Sequence, residues 1–286
     1  MFDPIIPRLS KIKLKLRRTN FMKTMKNWFK DELNEYKSLL KNIPALLLAA
    51  FCLAVVMMNT LANKTIVSTS WIDIDGGILC AWLIFMAMDL TAQHFGPRAA
   101  TKMSLVGLVV NLLVCAIFGI ASVINIGGGA WSPAWNYTTE EGFNIANEAV
   151  NSLFAGSWQV LLASSIAFII SAIVNNTMNW GVGKLFKNKN TPKLEYTTRA
   201  YISTMIGQFV DNWIFNFILF IVLFKDPSWS ILSVTTCAAL GAVVELIMEI
   251  IFSPFGYKIV QRWRKENIGQ GYIDKYGTDI LRRPTK

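Results

Sequence analysis

The chain is 286 residues long, 53% hydrophobic and only 16% charged, with a mean hydropathy of +0.40. An ordinary soluble domain carries about 25% charged residues, so this composition excludes one and points to long uncharged stretches. The net charge of +10 invites a nucleic-acid partner, but the basic residues follow membrane topology instead, and no nucleic acid is expected.

The first 42 residues hold 11 of the 28 Lys and Arg. Within them, Arg8–Lys30 interleaves basic residues with Ile12, Leu14, Leu16, Phe21, Met25, Trp28 and Phe29. This stretch is either an interfacial helix on the anionic inner leaflet or a mobile basic tail. The first apolar run starts only at Ile43, with no small-residue cleavage site after it, so it is expected to stay in the protein and not to serve as a signal peptide.

Six long apolar stretches follow: Ile43–Ala62, Gly76–Gln93, Met103–Ile126, Gln159–Phe186, Tyr201–Phe224 and Ile231–Phe252. Crossing a hydrocarbon core of ~30 Å takes ~20 helical residues, and each stretch is near or above that length. Lys and Arg number 11 before the first span, then 1, 2, 0, 5 and 1 in the successive connections, and 8 in the tail. Basic residues favour cytoplasmic loops, so the alternation fits six spans with both ends inside. The expected fold is an all-α integral membrane protein with six transmembrane helices in one bundle. A basic segment over 1–42 precedes a transmembrane domain over 43–264, and a cytoplasmic tail covers 265–286.

The longest connection, Asn125–Trp158, carries Gly127-Gly128-Gly129, three tryptophans and Glu140, Glu141 and Glu148 with no basic residue. It either caps an external entrance or is a connector anchored by its tryptophans. Spans four and five look related. Ser165–Thr177 can be laid on Tyr201–Trp213 with a shift of 36 residues, which superposes Asn175-Asn176 on Asp211-Asn212. The two spans run in opposite directions, so a true repeat would be inverted, as in many transporters.

Polar side chains in hydrocarbon are costly, about 2.5–3.5 kcal/mol for Asp on insertion scales. Five spans nevertheless carry polar pairs at four-residue spacing, which places each pair on one helix face. They are Asn59 and Asn63 (with Lys64 beside them), Asp89 and Gln93 (followed by His94, the one histidine), Asn175 and Asn179 (with Asn176 adjacent), Gln208, Asn212 and Asn216 (flanked by Asp211), and Glu245 and Glu249. The amides can be interhelical glue. Asp211 and Glu245 lie near mid-span with no Lys or Arg at their depth, so they read as functional. His94 is either a group at a helix end or a proton relay. Cys52, Cys80, Cys115 and Cys237 all lie in spans without metal-ligand spacing and read as packing residues. No catalytic or phosphate-binding motif is present. The chain is therefore not expected to be an enzyme or to hold a metal or cofactor.

From Ala45 to Arg264 these patches resemble the vitamin uptake transporter family, which includes queuosine-precursor transporters. Asn59-Thr-Leu-Ala-Asn-Lys64 resembles the family's NxxANK. Asp89-Leu-Thr-Ala-Gln-His-Phe-Gly96 with Arg98-Ala99 resembles its DxxxExYG and the basic turn after it. Ser164–Ser171 is similar to its serine-rich start of span four, and Ser203-Thr-Met-Ile-Gly-Gln-Phe-Val-Asp211 to its STLxSQxxD. Gln93 stands where the family has glutamate, Ala172 and Asn175 where it has Gln and Asp, and Gly207 where it has a second serine.

The resemblance implies gradient-driven uptake of a 7-deazaguanine, either 7-cyano-7-deazaguanine or 7-aminomethyl-7-deazaguanine, across a bacterial cytoplasmic membrane. Together with the polar faces, it points to Asn63, Lys64, Asp89, Gln93, Asn175, Asn176, Gln208, Asp211 and Asn212 as the substrate site, and the polar pattern alone offers Glu245 and His94 as candidate coupling groups. Carboxylates would accept the N–H donors of a guanine-like edge, amides would serve both roles, and Trp213 or Trp82 would stack on the ring. Two other readings stay open. One is the substrate-binding subunit of an energy-coupling-factor transporter, partnered by an ATPase module. The other is a membrane scaffold that does not transport. A homo-oligomer fits either.

Overall fold

The computed structural model describes residues 25–69, 73–124, 145–155, 158–186 and 191–279. Nine helices are described: α1 Met25–Asn42, α2 Ala45–Leu61, α3 Ile78–Phe95, α4 Pro97–Val123, α5 Ile145–Ala155, α6 Trp158–Lys184, α7 Pro192–Asn216, α8 Ile231–Lys265 and α9 Gln270–Tyr276. Five are long and apolar enough to cross a membrane, and α2 supplies a sixth apolar helix bent 106° from α1. At 17 residues, α2 lies at the short end of the spanning range of ~17–25 residues.

Apolar runs locate the helices but not their ends. α4 begins at Pro97 and α7 at Pro192, each with proline in the first turn, where its missing N–H is no loss. α8 starts from Ser230, whose Oγ accepts the Ser233 amide at 3.1 Å. It then runs 35 residues, ~1.5 Å each, so its last turns project beyond a ~30 Å core and carry Arg262, Arg264 and Lys265. α7 continues over Phe217–Leu223 with wider i→i+5 hydrogen bonding, as in Phe224 N–H to Leu219 O at 2.9 Å.

Two elements were not anticipated. The connection between α2 and α3 is a two-stranded antiparallel hairpin, β1 Thr65–Ser68 with β2 Asp73–Asp75. Lys64 N–H to Leu61 O at 2.9 Å ties it to the end of α2, and Gly76 N–H to Lys64 O at 2.7 Å closes its open end. The long connection after α4 contains α5, whose Phe154 stacks on Phe118 with centroids 4.3 Å apart. The Gly127–Gly129 run, Glu140 and Glu141 of that connection lie outside the described residues, as does most of the basic stretch Arg8–Lys30.

α3 is the central helix and touches α2, α4, α6, α7 and α8. From Ala87 through Phe95 all its residues are buried, whatever face they lie on. Elsewhere the pattern is the reverse of a soluble protein. Leu46, Leu53, Val109, Leu113, Ile117 and Ile120 face outward, while Asp89, Asn175, Gln208, Glu245 and Glu249 are buried. Only a hydrocarbon solvent rewards that arrangement.

The first and last described helices meet at one end of the bundle. Glu35 of α1, fully buried, is paired with Arg98, lies 3.8 Å from Lys102, and accepts a hydrogen bond from the Tyr272 hydroxyl of α9 at 3.0 Å. Burial, then the Glu35 carboxylate, pushes the Tyr272 phenol well above its usual range, so it stays a donor. Two glycines with positive φ permit this closure. A Cβ on Gly269 (φ 70°) would lie 2.2 Å from Phe95, and one on Gly96 (φ 91°) 2.5 Å from the Thr278 carbonyl.

Candidate functional site

The polar residues of α6 and α7 meet as an antiparallel ladder. Ser171 donates to Asp211 Oδ1 at 2.6 Å, and a Cβ on Gly207 would lie 2.9 Å from that of Asn175. Asn179 Nδ2 reaches Ser203 Oγ at 3.4 Å, and a Cβ on Gly183 would lie 2.9 Å from the Arg199 guanidinium carbon. Every four-residue step along α6 is thus matched by a four-residue step back along α7. The repeat read from the sequence, with its shift of 36 residues, exchanges the Ser171–Asp211 rung with the Asn175–Gly207 rung. The level midway between those rungs is where a two-fold axis of an inverted repeat would pass.

α8 lies along the other side of α7 in a fixed register. Gly241 sits against Asn212, the Ser253 hydroxyl lies 2.9 Å from that of Tyr201, and Gly256 abuts the Tyr196 hydroxyl. Glu245 and Glu249 fall between these levels, one helical turn apart.

Next to the hairpin, the helices leave a cavity of about 90 Å³. Its polar wall comprises Asn59, Asp75, Ser164, Asp211, Asn212, Asn216 and Glu245, and Phe215 supplies an aromatic face. Three carboxyl groups and three amides therefore converge there, and none of the described lining residues is basic. Part of the wall is internally fixed: Ser164 donates to Asn59 Oδ1 at 2.6 Å, and Asp75 Oδ1 accepts the Gly77 amide at 2.6 Å. The Asn212 side chain lies against the Glu245 carboxyl without a well-formed hydrogen bond, and Asn212 Nδ2 and Glu245 Oε2, both buried, have no other partner in the protein. Such groups are costly to leave without partners, and they stand at the wall of the hollow. The wider i→i+5 turn begins immediately after Asn216, a feature frequent beside functional sites.

One layer further from the hairpin lies a dry polar cluster. Asp89 is fully buried and accepts from Asn175 Nδ2 at 2.9 Å, Ser203 Oγ at 3.0 Å and Thr204 Oγ1 at 3.3 Å. Arg199 donates to Asn179 Oδ1 at 2.9 Å, so a directed chain of donors runs from the guanidinium through Asn179 and Ser203 to the Asp89 carboxylate. Gln208 and Glu249 are also fully buried, and neither polar atom at the end of either side chain has a partner.

A multi-pass bundle, closed around a polar cavity and a buried carboxylate cluster, is the setting in which comparison with known proteins becomes informative. A family model described as "Putative vitamin uptake transporter" matches residues 75–259, more than half of the chain. The chain belongs to the vitamin uptake transporter family. No curated protein matched, and no solved structure did. The match begins at Asp75 on the cavity wall and extends through most of α8, leaving α1, α2 and α9 outside it.

The transporter is thus a multi-pass membrane protein handling a small-molecule solute. Its sequence-derived site residues separate by depth. Asp211, Asn212 and Glu245 line the cavity. Asp89, Asn175 and Gln208 belong to the dry layer below. Asn176 turns to α4, its Nδ2 reaching Thr101 Oγ1 at 3.1 Å. Asn63 bonds backbone carbonyls at the end of α2 and lines a second hollow beside α4, and Lys64 is exposed in the turn that leads into the hairpin. Gln93 and His94 lie at the opposite end of the bundle. There Gln93 Nε2 donates to Tyr196 O at 3.3 Å and His94 Nε2 sits 2.8 Å from Ile268 O. The two tryptophans do not line the cavity. Trp213 stacks on Phe217 and donates to Thr235, and Trp82 stacks on Phe252, so Phe215 replaces them as the available aromatic face. Asp75 escaped sequence reasoning, and Ser164 entered it only as part of the serine-rich motif, not as a site residue. The alternation Trp71-Ile-Asp-Ile-Asp75 was the strand signal that marks Asp75.

Proposed function

We propose that this transporter imports a small heterocyclic nutrient of the 7-deazaguanine class across a bacterial cytoplasmic membrane, driven by an ion gradient. The observation that carries this reading is the cavity wall, where Asp75, Asp211 and Glu245 converge with Asn59, Asn212 and Asn216 and no basic side chain. A guanine-like edge presents adjacent N–H donors and a carbonyl acceptor. Carboxylates accept the donors, and an amide at the cavity wall such as that of Asn212 donates to the carbonyl. Phe215 offers the ring a face. In this reading the hairpin end faces outward, the Glu35–Tyr272 end faces the cytoplasm, and α1 lies along the inner leaflet with Trp28, Phe29 and Leu33 toward lipid.

The test is uptake of radiolabelled 7-cyano-7-deazaguanine by cells expressing wild type or Asp211→Asn, with guanine and unrelated vitamins as competitors. Asp211→Asn is expected to abolish uptake while expression and folding persist. Uptake at the wild-type rate would show that Asp211 only joins α7 to Ser171 of α6. Wild type that ignores every 7-deazaguanine would refute the solute class, and co-purification of an ATPase pair would favour a substrate-binding subunit.

A further inference from the structure

The wall of the cavity uses Glu245 but not Glu249, its neighbour one turn further along α8. Glu249 has no exposed surface, and neither of its oxygens has a hydrogen-bond partner. Asp89 of α3 lies within electrostatic reach of it, and so does Tyr196 of α7, whose hydroxyl has no partner either. The two carboxyl groups are treated very differently. Asp89 is held by Asn175, Ser203 and Thr204, whereas Glu249 is bare. A lone ionised carboxylate taken out of water costs several kcal/mol, and a second carboxylate nearby raises that cost. A proton is the smallest ligand that removes the charge, and the surroundings of Glu249 leave room for little else.

The remaining ionisable groups around it are already engaged or lie a turn away. On α7, Arg199 is bound to Asn179 and Glu195, and Tyr201 to Ser253. Asp211 lies toward the hairpin and is bonded to Ser171. On α8, Glu245 lies one turn toward the hairpin and Arg264 about four turns the other way, bonded to Gln93 O. On the hairpin, Asp75 stands at the cavity wall. Among the described residues, no Lys or Arg forms an ion pair with Glu249. The series Asp75, Glu245, Glu249, Asp89 therefore steps from the cavity to the middle of the bundle. Beyond it, a hollow of about 460 Å³ lined by Gln93, Glu195, Arg199 and Arg264 opens at the other end.

We infer that Glu249, beside Asp89, is the site where this transporter binds and releases the proton that drives solute import. The inference rests on the gradient-driven reading above and names its ion. Protonated from the cavity side by way of Glu245, Glu249 is neutral and tolerates the dry, closed bundle seen here. Released toward the Arg199 end, the proton leaves behind a carboxylate that cannot stay dry, which favours a hydrated, opened arrangement. One proton taken up on one side and released on the other moves one positive charge inward per neutral solute.

The experiment uses the full-length chain in liposomes, with radiolabelled 7-cyano-7-deazaguanine as probe. Glu249→Gln, which mimics the neutral acid, is expected to exchange solute between the two sides within about twofold of wild type while losing all acceleration by an inward pH gradient. Infrared spectroscopy of the same liposomes gives a second readout that needs no solute. Wild type should show protonated-carboxyl C=O absorption that falls on raising the pH, and Glu249→Gln should lose the part of it that belongs to Glu249. Should Glu249→Gln not accumulate, Glu249→Asp should keep the gradient response with a shifted pH optimum. Acceleration of Glu249→Gln equal to wild type, drive by a sodium gradient instead of a pH gradient, or an infrared band untouched by the substitution would overturn the assignment. Wild type that moves no probe but loses that part of the absorption in Glu249→Gln would refute the solute and leave the proton site standing.

Discussion

Replacing Gly207 with alanine adds one methyl group where α6 and α7 pack tightly together. That methyl would lie 2.9 Å from Asn175 Cβ and 2.9 Å from Phe85 Cε1. Neither atom is the free end of a flexible chain: one is the root of a side chain bonded to Asp89, the other belongs to a fully packed ring. Overfilling of this kind typically costs about 1–3 kcal/mol. Alanine also favours a helix over glycine by up to about 1 kcal/mol, which would mask part of the loss. Gly181→Ala removes the ambiguity, because Gly181 lies in the same ladder of helices and its added Cβ meets nothing within 4 Å. The helix preference cancels between the two variants, leaving Gly207→Ala about 1–3 kcal/mol less stable than Gly181→Ala. For a chain of this length that is a melting-temperature gap of about 2–4 °C per kcal/mol, readable by thermal denaturation of the purified protein in detergent. A Gly207→Ala protein melting at or above Gly181→Ala would refute the close-packed ladder. The ladder sets both Ser171 on Asp211 and Asn175 on Asp89, so uptake should fall with the same variant.

Two further outcomes are expected beyond the Asp211 and Glu249 variants. Glu35→Gln leaves Arg98 without its buried counter-charge, while Lys102 keeps its pair with Glu32; breaking a buried pair from one side costs about 3–5 kcal/mol, enough to undock α1. Faster trypsin cleavage after Lys37 in the variant than in wild type would show this, and equal rates would mean that apolar packing through Leu39 and Ile43 suffices. A reporter fused after Lys286 should be active only when its activity requires the cytoplasm; activity on the outer side would reverse the assigned orientation.

Much of the architecture was legible in one dimension because lipid is a simple solvent. A helix crossing hydrocarbon must satisfy its own backbone and show an apolar surface, so Met103–Ile126 and Ile231–Phe252 announced α4 and α8 without any knowledge of their neighbours. The same selection made Asp89, Asp211, Glu245 and Glu249 conspicuous. The ends were not legible, since α7 begins nine residues before Tyr201 in a polar helical extension that no apolar criterion sees. The hairpin left only the brief alternation Trp71–Asp75, too short to outweigh a reading as loop, and with it Asp75 was passed over.

Residue order therefore determined by itself that the chain spans a membrane in a bundle of helices, and which few polar groups have to be accounted for inside it. Only the tertiary structure decided how those groups are shared out. Asp211, Asn212 and Glu245 went to the cavity, Asp89 and Asn175 to a dry cluster, Gln93 and His94 to the far end, and Glu249 was left bare between them. Helical period assigns a side chain to a face and a depth. Whether that face meets a partner, a hollow or nothing depends on the register against helices far away in the chain, which spacing along one helix does not contain.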